Sequence, residues 1–122
     1  MDFVEEFTQE GKNFVYINFS ELESDESYIE RIRLTMPAIT KYPGNSIYVI
    51  ANLDNVKFDS NTKKITADYI GQIKPYIRAA AVFGVDGIKK MMITTAMKMA
   101  GNINLYFGFS KEQAIAWLLK QA

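Results

Sequence analysis

The chain contains neither cysteine nor histidine. Without cysteine there can be no disulfide and no thiol chemistry, a composition that fits a reducing cytoplasm. Without histidine the commonest general base is gone, and with it the Ser-His-Asp and Cys-His arrangements and the favoured nitrogen ligand of catalytic zinc. An enzyme built from this chain would have to rely on carboxylates, lysine, tyrosine or a hydroxyl. An excess of one charge is lacking too, since fourteen basic residues balance fourteen acidic ones. No bulk field therefore draws the protein to nucleic acid or to an anionic membrane, and any partner must be recognised locally. Met1 to Phe7 carries no basic region followed by a long apolar one, and no apolar run approaches the roughly 20 residues that span a bilayer. These absences predict a cytoplasmic protein with no membrane insertion, no nucleic-acid partner and no resident metal or cofactor.

What is present is enough apolar material for one core: 122 residues, 48% of them hydrophobic, predict a single domain over 1–122. Phe3 to Thr8 and the aromatic, β-branched Asn13 to Phe19 flank Glu10-Gly11-Lys12 and predict a hairpin. Ser24, Asp25 and Glu26 then open a helical pattern through Ile39, which Pro37 should kink or break near Thr35 and Met36. Ser46 to Leu53 is almost continuously apolar, the mark of a strand covered on both faces. A helix carrying Ile65, Tyr69, Ile70 and Ile73 follows Asp59-Ser-Asn-Thr62 and closes at Pro75. Arg78 to Val85 is a second central strand, and its three consecutive alanines imply close packing. The helix Gly87 to Ala100 comes next, ending at Gly101-Asn102, with its apolar face on Ile88, Met91, Met92, Ala96, Met99 and Ala100 and with Ile93 and Met97 outside that stripe. Ile103 to Phe109 is the last strand, and Ser110-Lys-Glu-Gln113 is a capping box for a terminal helix. The order ββαβαβαβα predicts an α/β fold: a mostly parallel sheet, helices on both faces and the first strand antiparallel at the edge.

In such a sheet Asn18–Ser20, Asn52–Asp54, Gly84–Gly87 and Gly108–Ser110 should meet at one rim. Within it Gly84, Val85, Asp86 and Gly87 form a candidate ligand or anion site, because glycines admit a close ligand and a helix start supplies unpaired N–H groups. Asp86 is equally a helix cap that would fill those donors itself. Ser60 is a candidate phosphoacceptor at a positive helix end beside Lys63 and Lys64. Asp54, Asp59 and Asp86 would serve as an acid/base or Mg²⁺ set only if the fold brought them together. Met91, Met92 and Met97 lie on the broad apolar arc of the third helix and are a candidate face for a partner or an apolar ligand.

Tyr16-Ile-Asn-Phe-Ser20, Ile47-Tyr-Val-Ile-Ala-Asn-Leu-Asp54, the strand into Gly84-Val-Asp-Gly-Ile-Lys-Lys90, and Phe109 to Leu118 resemble the SpoIIAA-like branch of the STAS, or anti-sigma factor antagonist, superfamily. The resemblance spans nearly the whole chain. It implies a non-enzymatic switch with a phosphorylatable serine at the helix after the central strand, which falls on Ser60; Asn61-Thr62 stand where that pattern has Ser-Gly. The function expected is thus a cytoplasmic regulatory or protein-interaction domain that binds a protein partner or a second copy of itself. An alternative is a carrier of a small apolar anionic or lipid-like ligand, held between the Gly84–Gly87 turn and the Met-rich helix. An aspartate-based hydrolase or phosphotransferase is a third, weaker alternative.

Overall fold

The structure, a computed structural model, describes residues 3–121. Its elements follow the order expected: β1 (Val4–Gln9), β2 (Lys12–Asn18), α1 (Asp25–Thr40), β3 (Ile47–Asn52), α2 (Ser60–Ile73), β4 (Ile77–Phe83), α3 (Gly87–Ala100), β5 (Leu105–Gly108) and α4 (Lys111–Leu119), with one 3₁₀ turn at Lys74–Tyr76. The five strands are ordered β1-β2-β3-β4-β5, with β1 antiparallel to β2 and every other pair parallel.

That sequential order fixes how the helices are distributed. Crossovers between parallel strands are right-handed, and when each one steps in the same direction across the sheet they all land on the same face. α1, α2 and α3 accordingly lie side by side over one face, around a core of Val15, Ile17, Val49, Val82, Tyr28, Ile32, Tyr69 and Ile93. α4 alone packs on the opposite face, where Phe14, Tyr48, Ile50, Ala79, Ala81 and Phe83 meet Ala114 and Leu118. Helices do cover both faces, three on one and one on the other. Ala79 to Ala81 are all buried, and their lack of bulk lets α4 approach the central strands on one side and the α2–α3 layer on the other.

Two local expectations are corrected. α1 does not break at Pro37 but continues to Thr40. Pro37 and Arg33 are both exposed, so water can satisfy the Arg33 carbonyl that loses its donor, and the helix need not end there. The second correction concerns α3, whose buried residues are Ile93 and Ala96, with Met97 and Ala100 packed beside them against Ala67, Ile70 and Ile103. Ile88, Met91 and Met99, assigned to the core face, point outward. Apolar residues lie almost all round this helix, so periodicity could not select a face. Small Ala96 against Ala67 allows α2 and α3 close together, and that contact sets the rotation.

Candidate functional site

The rim forms as the parallel sheet requires. Phe19 N–H donates to Asn52 O at 2.9 Å, Glu21 N–H to Asp54 O at 2.9 Å, and Leu53 N–H to Phe83 O at 2.9 Å, so the β2, β3 and β4 exits lie against one another. Asn18 and Asn52 each fold back as Asx turns, accepting from Ser20 N–H at 2.9 Å and Asp54 N–H at 3.0 Å. Arg31, from α1, donates to Asn18 O at 2.5 Å.

The turn Gly84–Gly87 sits within this rim, with its donors already used. Asp86 is the N-cap of α3 and accepts from Lys89 N–H at 2.9 Å. Gly84 has φ +80°, and a Cβ there would overlap the Asp54 carboxylate and come within 2.6 Å of Asp54 N. The glycine is thus required by backbone conformation and by Asp54, and the two nearby carboxylates oppose an anion at the turn. A Cβ at Gly87 would meet nothing within 4 Å, and the φ of Gly87 is not positive.

Beside the turn lies an open groove of about 230 Å³ between β5 and α3, lined by Gly84, Val85, Lys90, Phe107, Gly108 and Phe109. Lys90 Nζ stands 5.1 Å above the Phe107 ring, and Phe109 is 91% exposed. Three of these residues, Lys90, Phe107 and Phe109, escape a sequence reading as a set. Lys90 falls on the polar side of α3, and only strand β5 brings the two phenylalanines to it.

Ser60 is the first residue of α2 and is exposed. Asp59 caps that helix, accepting from Thr62 N–H at 3.0 Å, and this bond holds its carboxyl below the usual range. The buried Thr62 hydroxyl lies 3.1 Å from Asp59 and 3.2 Å from Asp25 at the start of α1, tying the two helix ends together. Asp59 and Asp86 thus serve as helix caps, and the Asp54 carboxylate lies against Gly84. Among the described residues no group of three carboxylates could hold a metal ion.

A separate, largely apolar cavity of about 60 Å³ lies between the sheet and α2 and α3, lined by residues including Phe19, Tyr28, Tyr69, Ile93 and Leu105. It touches neither the turn nor any methionine. A cavity of about 150 Å³ is what admits benzene, so this one has little room for a cargo.

α3 presents its most distinctive surface to solvent: Ile88 is 72%, Met91 68% and Met99 58% exposed. Met92 and Met97 are half-buried. Of the three methionines expected to form a partner face, Met91 therefore leads outward while Met92 and Met97 serve partly as packing.

No family model matches the chain, and no curated protein matches it. Among known structures, an uncharacterized protein of the DUF3478 family from Shewanella loihica PV-4, described as having a SpoIIAA-like fold, superposes with a TM-score of 0.67 over 94% of this chain and 91% of that one. The fold is SpoIIAA-like. At 12% identity the two share architecture and little side-chain chemistry, so the likeness extends to the sheet and helix layers. No helix among the described residues is long and apolar enough to cross a membrane.

Proposed function

We propose that this chain is a non-enzymatic cytoplasmic regulatory or protein-interaction domain whose binding surface is the outer face of α3. The observation that carries the reading is the exposure of Ile88, Met91 and Met99 on one helix, without any covering element among the described residues. Large apolar side chains left in water along one helix mark contact surfaces, and flexible thioethers adapt to a partner's shape. The SpoIIAA-like fold supports an interaction role. Ser60 is the residue through which such a domain would be regulated: a phosphate there would stand at the N-terminus of α2 near Lys63 and Lys64, but against the Asp59 cap.

The reading is tested with a photo-crosslinking residue at position 91 in cells that make the protein. Adducts to a discrete polypeptide, absent when the crosslinker sits at exposed Glu112 on α4, across the sheet, are expected. Equal labelling from both positions would sink it.

A second reading follows from the groove beside the turn. Lys90 above Phe107, with Phe109 exposed alongside, suits a small molecule with an anionic head and an apolar body. Octanoate is a suitable probe: amide shifts confined to Gly84, Val85, Lys90 and Phe107 to Phe109, and lost in Lys90→Ala, would support it, while shifts scattered over the surface would remove it.

A further inference from the structure

The two edges of the sheet differ in how they are guarded. An edge strand presents unpaired N–H and C=O groups, and charged side chains or a covering element keep other strands from joining it. β1, on one edge, carries Glu5 and Glu6, held by Lys111 at 2.6 Å and by Lys41 at 2.8 Å. β5, on the other edge, reads Leu105-Tyr-Phe-Gly108, with no charge and no proline, and among the described residues no strand lies beyond it.

The ladder to β4 shows which groups of β5 are free. Ala80 N–H donates to Asn104 O at 2.9 Å, and the parallel register sets Ala80 beside Leu105 and Val82 beside Phe107. Alternate residues of a strand turn their backbone groups to the same neighbour. Asn104, Tyr106 and Gly108 therefore face β4, while Leu105 and Phe107 point both N–H and C=O away from the sheet. The next outward donor, Phe109 N–H, is closed by Gln113 Oε1 at 2.6 Å.

The surroundings of this edge are basic. Residues 87–122 contain five lysines and one carboxylate, Glu112. Lys90, Thr94 and Lys98 stand four apart on α3 and span about 80° of its circumference, on the side turned from Ala96 and α2. Lys90 Nζ, 5.1 Å above the Phe107 ring, fixes that side over β5. On the opposite face Trp117 of α4 stacks on Tyr106 at 4.9 Å, and Asn104 Nδ2 donates to Gln121 Oε1 at 3.0 Å, which brings exposed Lys120 near the start of β5. Glu112 lies about 140° round α4 from Trp117, and Asp86 is engaged with the Lys89 amide.

We propose that the β5 edge takes up an extended, acidic segment of another polypeptide as a sixth strand. This surface is separate from the outer face of α3 and does not depend on it. In an antiparallel pairing, two alternate residues of the segment exchange both backbone bonds with Leu105 and Phe107. Side chains paired across a sheet share a face, so those two residues lie on the α3 side with Leu105 and Phe107, where Lys90 and Lys98 favour carboxylates. The residue between them lies on the Tyr106 and Trp117 side and suits an apolar side chain. The pattern recognised is acidic, apolar, acidic. A second copy of this chain does not supply it. β5 against β5 about a two-fold axis at Tyr106 would set Lys90 of one α3 near Lys98 of the other, a like-charge contact. β1 offers Glu5 and Glu6, which are already paired and, being consecutive, point to opposite faces.

The test adds the acetylated and amidated peptide Gly-Glu-Val-Glu-Val-Glu-Gly to the isotope-labelled full chain. Saturable binding is expected, with amide shifts centred on β5 and with hydrogen exchange at Leu105 and Phe107 slowed about fivefold or more. N-methylation of the three peptide glutamates removes the donors that pair with β5 and should weaken binding about tenfold. Lys90→Gln combined with Lys98→Gln, checked for fold by circular dichroism, should weaken it about threefold or more, the size of two exposed charge pairs. The same peptide with Lys in place of Glu should not bind. No binding of the acidic peptide, equal binding of the lysine peptide, indifference to N-methylation or to the paired lysine variant, or binding that leaves exchange at Leu105 and Phe107 unchanged would overturn the proposal. Protection of those two amides in the chain alone as its concentration rises would also overturn it, by giving the edge to a second copy. Octanoate has no backbone amide and should leave both exchange rates as they are, so the groove reading and this one fail separately, and adducts from position 91 bear on α3 alone.

Discussion

Glycine marks two positions in the turn at the head of α3, and the two residues have different reasons to be there. Gly84 has φ +80° and Asp54 N within 2.6 Å of where its Cβ would lie. Gly84→Ala should therefore lose about 2 kcal/mol or more in urea unfolding, from left-handed strain of about 1–2 kcal/mol plus the clash. Gly87 has open space and opens a helix, so Gly87→Ala should be neutral or stabilise by up to about 1 kcal/mol. Equal losses at both positions would contradict this account. Tyrosines supply the residue-scale pH dependence. Burial pushes the Tyr28 phenol up to about 12, and acceptance of the Tyr42 proton by Glu6 at 2.7 Å raises Tyr42 from 10.0 to about 12. Burial raises Tyr69 further, and its hydroxyl is the one buried side-chain polar atom without a hydrogen-bond partner among the described residues. In each case the folded state holds its proton more tightly than the unfolded chain. Their contribution to stability is complete below pH 10 and is lost as pH rises from about 10 through about 12. Denaturation midpoints should be level from pH 8 to pH 10 and fall steeply above it. Tyr69→Phe should change stability by no more than about 1 kcal/mol, since removing the desolvated hydroxyl offsets the loss of its contact with Thr35.

At the scale of elements, helix ends were legible and helix faces were not. Ser24, Asp59, Asp86 and Ser110 all cap the helices they precede, each accepting from a backbone N–H three residues on. A cap is a local contact, written in consecutive residues. The α4 capping box is shifted by one residue, with Gln113 accepting from Phe109 N–H at 2.6 Å in place of Ser110 N–H. For α3 the buried side was chosen by α2 and the sheet. Ile93 and Ile88 have identical chemistry on the same helix, yet Ile93 is 3% and Ile88 72% exposed. Ile93→Ala should cost about 2–5 kcal/mol in a denaturant titration, while Ile88→Ala should stay within about 0.5 kcal/mol. Comparable losses would restore the face expected from periodicity.

For the whole molecule, the strand alternation and the long apolar runs at Ile47–Asn52 and Ile77–Phe83 specified the α/β class, because a strand buried on both faces can carry no polar alternation. Those runs, the caps and the turn glycines are properties of neighbouring residues, and the amino-acid sequence by itself determined them, along with the absence of histidine and cysteine chemistry. The candidate site was only partly legible. Gly84 to Gly87 could be placed at the rim, but their engagement with Asp54 and the Lys89 amide depends on β3 and β4 lying side by side. The groove at Lys90, Phe107 and Phe109 needs β5 beside β4. The 1-2-3-4-5 strand order put three helices on one face, and packing against α2 left Ile88, Met91 and Met99 in water. Tertiary structure alone decided these points: helix rotation and strand neighbours follow from packing between segments far apart in the chain, and a short-range pattern carries no record of which distant surface will cover it.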